Sequence, residues 1–211
     1  MGLTSLVLVA AACSSGGDGP PATPTAVSIV ATGCGPVPQR GQGVAIDDAR
    51  AVTVAHVVAG ADDISVETAD GTVHPATIEA IDVANDLALL RVEGLDAQPV
   101  RFVDLAVGDA GRLGTTTPYE VLDVVEVRIN DIYDDLPTER DAVHIAADVA
   151  EGDSGSALID EQGRVGALLF SKSRDDPSTA YATSAAEVEL FLADRAGQPA
   201  ASPVACRADA S

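Results

Sequence analysis

From Ala26 onward the chain is a succession of short runs, apolar throughout or alternating apolar with polar, each cut off by turn residues. "AVSIVAT", "AVTVAHVVAG", "ISVETADG", "DLALLRV", "VLDVVEVRI", "AVHIAADV" and "RVGALLF" are representative. Val, Ile and Thr recur in them, and such residues suit a pleated, half-buried surface better than a helix. Short runs recurring at close spacing predict an all-β barrel or sandwich. Aromatic residues make up only 3% of the chain, so branched aliphatics must fill the core. One segment breaks the pattern. In "SAAEVELFLADR", Val188, Phe191 and Leu192 recur at helical spacing, and Ser184 with Glu187 forms a capping-box pair. A C-terminal helix is therefore expected. No internal repeat is visible at the level of sequence identity.

The residues ahead of Ala26 have a different character. "LVLVAAA" is too short to span a bilayer as a helix and reads as the apolar stretch and cleavage region of an export signal. Ala10-Ala11-Ala12-Cys13 resembles the bacterial lipobox, which would make Cys13 a lipidated residue; a plain secretory signal or a buried segment are the alternatives. "SSGGDGPPATPT" has too little apolar content to pack and reads as a tether. The expected division is residues 1–13 as export signal, 14–25 as flexible tether and 26–211 as the folded domain. With Cys13 lipidated, Cys34 and Cys206 remain as a pair. In an oxidising compartment a disulfide is their default, two free thiols being the alternative. No C-x-x-C or His/Cys cluster is present, so no metal is expected. Acids outnumber bases 33 to 12, a net charge of −21. Such a surface repels phosphate backbones and anionic headgroups, which excludes nucleic acid as a partner and leaves the membrane only through the anchor.

"EGDSGSAL" places Ser154 between two glycines. The letters suit an ordinary turn, yet they also suit a backbone built for close approach. A serine hydroxyl is a poor nucleophile unless a base lies beside it, and the chain holds three histidines. His56, in "TVAHVVAG", ends a strongly apolar run before a Gly turn and is placed to face a cleft. His74 lies in the polar turn "DGTVHPA", and His144 alternates outward along a strand. A carboxylate to sit beside the imidazole is offered by Asp86, which opens the apolar strand of "NDLALLRV". A buried aspartate is costly unless it is paired, and an imidazole is one such partner. Each residue alone has a bland reading: a rim histidine, a strand-entry acid, a turn serine.

Taken in order, "TVAHVVAG", "NDLALLRV" and "GDSGSALID" resemble the chymotrypsin-like serine proteases from Ala26 almost to Cys206. The stretch from "DIYDDLPTERD" through "GALLF", followed by a late cysteine, is similar to the actinobacterial acid-resistance periplasmic protease family. Members of that family carry a multi-span membrane domain, for which the lipid tether would stand in here. The resemblance implies two six-stranded Greek-key β-barrels with the site in the cleft between them. It implies His56 as general base and acid, Asp86 as its orienting partner and Ser154 as nucleophile. It further implies an oxyanion hole from the N–H groups of Gly152 and Ser154, and a substrate pocket involving Asp148, Phe170 and Thr179. Asp148 stands where an acid would favour basic side chains, whereas Thr179 would crowd an arginine. Arg112 is expected to pair with Asp153 and brace the loop before Ser154.

The implied protein is an exported serine endopeptidase of the bacterial envelope, monomeric, acting on protein or peptide substrates without a cofactor. A catalytically silent binding or chaperone-like lipoprotein on the same fold is the alternative. An α/β-hydrolase esterase is disfavoured, because that fold needs G-x-S-x-G and the chain order Ser, Asp, His.

Overall fold

The computed structural model describes residues 23–195 and 204–207. Twelve strands form two closed barrels of six. The first barrel comprises β1 (Ala26–Thr32), β2 (Gln39–Ala45), β3 (Arg50–Thr53), β4 (Asp63–Thr68), β5 (Val73–Asp82) and β6 (Leu87–Val92), with a single helical turn, α1 (Ala55–Val58), after β3. The second comprises β7 (Ala110–Leu113), β8 (Thr117–Asn130), β9 (Pro137–Ala146), β10 (Ala157–Asp160), β11 (Val165–Lys172) and β12 (Thr179–Ser184). Helix α2 (Ala185–Arg195) follows.

Around the first barrel the order is β1-β2-β3-β6-β5-β4, and around the second it is β7-β8-β9-β12-β11-β10. The two barrels thus repeat one topology, a duplication that their residues do not display. Every pairing between these twelve strands is antiparallel, including the non-consecutive pairs β1–β4 and β3–β6. Closing each sheet on itself leaves only short stretches of exposed edge where one strand outruns its neighbour.

Period-two alternation sets the inward faces. Val27, Ile29 and Ala31 of β1 are buried while Ser28 between them is exposed. Val66, Leu90 and Val58 join the first two in one core; Leu113, Val121, Ile145, Leu158 and Ala182 build the second. A third cluster joins the barrels to α2, with Val44, Leu87, Leu89, Ile159 and Leu168 packed against Val188 and Phe191. Truncating one of these fully buried leucines to Ala would cost about 2–5 kcal/mol. The Ser184 hydroxyl caps α2 by accepting from the Glu187 N–H at 3.3 Å. The Glu187 carboxylate turns instead to the Asp141 N–H of β9 at 3.4 Å, so the box is half closed within the helix.

Two local expectations change. The polar stretch "IYDDLPTERD" is a loop only in its first half; Pro137–Arg140 belong to β9, paired with Val127–Asn130 of β8. His74 lies on β5 rather than in a turn, half-buried, its Nδ1 3.2 Å from the Glu93 carbonyl. Cys34 and Cys206 are joined in a disulfide. Cys13, the export signal and nearly all of the tether lie outside the described residues.

Candidate active site

Strands β3 and β6 are neighbours, with Thr53 opposite Ala88. His56 follows three residues after Thr53 and Asp86 precedes Ala88 by two, so register alone brings them to one end of the barrel. His56 does not end the strand, as its apolar run suggests. The chain breaks into α1 after Val54, burying Ala55, Val57 and Val58 and leaving the imidazole half-buried at the cleft. Asp86 is 5% exposed and adopts φ +55°. That left-handed conformation is uncommon for any residue with a Cβ, though Asp and Asn tolerate it best. It is held by two contacts to one residue. Asp86 Oδ1 accepts the His56 N–H at 2.8 Å, and Oδ2 lies 2.7 Å from His56 Nδ1. The carboxylate therefore grips both the main chain and the ring, which fixes Nδ1 as the protonated nitrogen and directs Nε2 away from it.

Ser154 is set by its main chain. Its carbonyl accepts the Gln42 N–H of β2 at 2.7 Å, tying it to the first barrel. The next residue, Gly155, donates to the Leu169 carbonyl of β11 at 2.7 Å, tying it to the second. The serine thus stands at the junction of the two barrels. Gly155 has φ +88°, and a Cβ there would collide with the Gln42 carbonyl oxygen and the Thr53 hydroxyl. Only glycine allows that approach. Gly152 is also left-handed, at φ +92°, but a Cβ there would meet nothing. In the turn they enclose, Asp153 donates to the Ala150 carbonyl and its carboxylate accepts the Ala150 N–H at 2.8 Å. Among the described residues, the N–H groups of Gly152 and Ser154 have no hydrogen-bond partner, nor has the Ser154 hydroxyl.

A cleft of about 760 Å³ opens between the barrels, lined among others by His56, Asp86, Arg140, Phe170, Lys172 and Tyr181. Phe170 and Thr179 are buried on β11 and β12 and Asp148 is exposed; of these three only Phe170 is among the residues lining the cleft, and Ser154 is not among them either. β11 extends beyond the end of β10, so Ser171 and Lys172 pair only with β12. Lys172 reaches across to the Val149 carbonyl at 2.9 Å.

The expected ion pair between Arg112 and Asp153 is not formed. Arg112, on β7, folds back to donate to the Gly114 carbonyl at 2.8 Å, and the Asp153 carboxylate is taken up by its own turn. Arg140 was not singled out from the sequence, because its letters fall in a polar run. It is 2% exposed and donates to the Asn85 carbonyl at 2.6 Å. Burial pulls its guanidinium below the ordinary value, against the Asp86, Asp82 and Glu187 carboxylates, which hold it up. It shares the strand face of Ala142 and His144, opposite to the core-facing Val143 and Ile145, so the alternation of "AVHIAAD" points it away from its own barrel's core and gives no sign of its burial against the first barrel. His144 stacks on Tyr181 with ring centroids 4.6 Å apart and stands away from the Asp86 contact. Among the described residues no three His, Cys, Asp or Glu side chains converge as metal ligands.

Known proteins are similar to this chain in sequence and fold. A model of the trypsin-like peptidase domain matches residues 41–168. The chain is 35% identical over 166 residues to the serine protease Rv3671c of Mycobacterium tuberculosis, covering 73% of this chain and 41% of that protein. It is 30% identical over 152 residues to the serine endoprotease DegS of Escherichia coli, covering 64% of this chain and again 41% of the relative. The chain therefore spans about two fifths of the length of these curated relatives. The crystal structure of the active form of the Rv3671c protease superposes with a TM-score of 0.81 at 33% identity, covering 88% of this chain and 86% of that one.

Proposed function

The chain belongs to the trypsin-like serine peptidase family, and on that premise we propose that it is a serine endopeptidase working through Ser154, His56 and Asp86. The observation that carries this reading is the double grip of Asp86 on His56, which sets one tautomer of the imidazole. With Nδ1 protonated, Nε2 is free to take the Ser154 proton as Oγ attacks the scissile carbonyl. Asp86 stabilises the imidazolium that results. The oxyanion lies against the N–H groups of Gly152 and Ser154, which have no internal acceptor to leave. His56 then protonates the leaving amine, and water, activated by the same imidazole, cleaves the acyl-enzyme.

The substrate main chain adds to the free edge of β11 at Ser171 and Lys172, a pairing that needs backbone alone and so accepts many sequences. Between that edge and the turn before Ser154, Phe170 lines the cleft as the wall for the side chain preceding the cut, with Thr179 buried on the neighbouring strand. Buried Thr179 and exposed Asp148 favour aliphatic residues there over Arg or Lys. A library cleaved after Val, Leu or Ala supports this; cuts confined to Arg or Lys overturn it. All the proposed groups come from one chain, so a monomer suffices. The setting we propose is the bacterial cell envelope, with lipid on Cys13; palmitate incorporation lost in Cys13→Ser tests the anchor.

A fluorophosphonate probe tests the centre of the proposal. The folded protein should label stoichiometrically, Ser154→Ala should not label, and His56→Ala should label at least roughly 10³-fold more slowly. Equal labelling of wild type and Ser154→Ala would refute it.

A further inference from the structure

Arg140 presents a physical problem. A guanidinium held 2% exposed must recover its lost hydration, and a fully satisfied ion pair is the usual means. Among the described residues Arg140 has no carboxylate within ion-pair distance. It makes one hydrogen bond, to the neutral Asn85 carbonyl, and its Nε is buried without a partner. The guanidinium carbon lies 4.9 Å from the centre of the Phe170 ring, a cation–π contact. For the fold alone this is an expensive choice, since an apolar side chain at the same buried position of β9 would pack at no such cost.

The placement explains the expense. Asn85 immediately precedes Asp86, the residue at φ +55° whose two oxygens hold His56. The Asn85 carbonyl is the oxygen of the peptide that enters Asp86, so fixing it fixes that peptide plane. The same loop is clamped from its other side by Asp82, whose carboxylate accepts the Ala84 and Asn85 N–H groups at 3.0 Å. One side chain from the second barrel and one from the first thus bracket the peptides leading into Asp86. We propose that Arg140 is a positioning residue for the peptidase reaction: it reaches from the second barrel to the Asn85 carbonyl and sets the left-handed conformation in which Asp86 holds His56. Docking of the two barrels then completes the His56–Asp86 pair, not only the cleft around it. The inference rests on the peptidase reading for its kinetic consequences, but not for its structural one.

Arg140→Met keeps the stem and removes the fork, and Arg140→Lys keeps the charge without the fork. Both are to be assayed in the full chain for kcat and KM on a peptide substrate. The low-field proton resonance of His56 Nδ1–H is read by NMR in the same samples. In Arg140→Met, kcat should fall roughly 10- to 100-fold with KM within about twofold, and the low-field resonance should broaden or vanish. Arg140→Lys should lose several-fold in kcat at unchanged KM, with the resonance displaced. An effect confined to KM, or a resonance unmoved in both variants, overturns the proposal. Should Arg140→Met not fold, Arg140→Lys decides alone, wild-type kcat with an unmoved resonance counting against it. If wild type shows neither hydrolysis nor Ser154-dependent labelling, the peptidase reading fails. The resonance comparison still judges the positioning claim.

Discussion

Gly152 and Gly155 flank the same serine with nearly the same φ, yet their surroundings demand different things. A methyl at Gly155 would enter the space of the Gln42 carbonyl and the Thr53 hydroxyl, both held by their own hydrogen bond at 2.6 Å. Gly155→Ala should therefore cost roughly 3 kcal/mol or more, strain and collision together. Gly152→Ala meets open space and should cost only the left-handed penalty, about 1 kcal/mol. Thermal melts of the two variants check the contrast: similar losses would mean that the two barrels yield at this contact. Asp86 offers a sharper separation of structure from chemistry. Asn tolerates φ +55° as Asp does, so Asp86→Asn should fold with little change in melting temperature. Its amide, offering N–H to Nδ1, selects the other tautomer, and kcat should drop by about 10⁴. A fall of less than about tenfold in a folded variant would deny Asp86 its orienting role.

Among the elements, the β8–β9 hairpin reaches furthest. Its tip carries Ile132 and Tyr133 out of the second barrel onto Ala55 and Ala59 at either end of α1. The Ile132 N–H donates to the Val83 carbonyl at 3.1 Å, and the Tyr133 hydroxyl donates to the Ala205 carbonyl at 2.8 Å. The helical turn bearing His56 is too short to hold itself, so this cover is part of its support. Ile132→Ala should destabilise by about 2 kcal/mol, with faster hydrogen exchange concentrated in α1 and the loop before Asp86. Exchange raised evenly over both barrels would count against local support. The hairpin also marks the limit of what the letters disclose. Alternation of Val and Ile against polar residues was enough to foresee most strands, and the apolar runs beside His56 and Asp86 were enough to nominate both. The burial of Arg140 was hidden, because a charged residue is buried by what the opposite barrel offers it and not by its neighbours in sequence. The expected Arg112–Asp153 pair failed for a related reason: each found a nearer main-chain partner. The break from β3 into α1 was likewise set by packing of Val57 and Val58, in a run whose composition favours continued strand.

Over the whole molecule, 33 acids face 12 lysines and arginines, a net charge of −21, so carboxylates far outnumber the cations that could neutralise them. Their mutual repulsion opposes a compact state at neutral pH. The disulfide opposes unfolding from the other direction, closing a loop of 172 residues between the first barrel and the C-terminal segment. In the chain-entropy model that constraint contributes about 5 kcal/mol, so Cys206→Ser should melt far lower than wild type in oxidising buffer and no differently in reductant. Repulsion makes a second prediction, in which two effects compete. As pH falls from neutral toward the pI near 4.1, unpaired carboxylates protonate and the repulsion fades, which stabilises the fold. Against this stand aspartates whose pKa is lowered in the folded state. Asp70 is brought to about 2 by the Thr68 hydroxyl and the Thr72 N–H, and Asp176 is lowered by the Ser178 hydroxyl. Their contribution is complete above the unfolded value near 3.8 and is lost only as pH falls through the folded values. The two windows meet near the unfolded value, so relief of repulsion dominates from neutrality down to about pH 4 and loss of the aspartate contribution below it. At low salt the melting temperature should therefore rise from pH 7 to about pH 5 and fall below about pH 3.5. At pH 7 about 1 M salt shrinks the screening length to about 3 Å and should recover most of that rise by itself. A melting temperature that falls from pH 7 to 5 and ignores salt would place the stability of this protein in its ion pairs, and the excess of carboxylates would then be a feature of its surface alone.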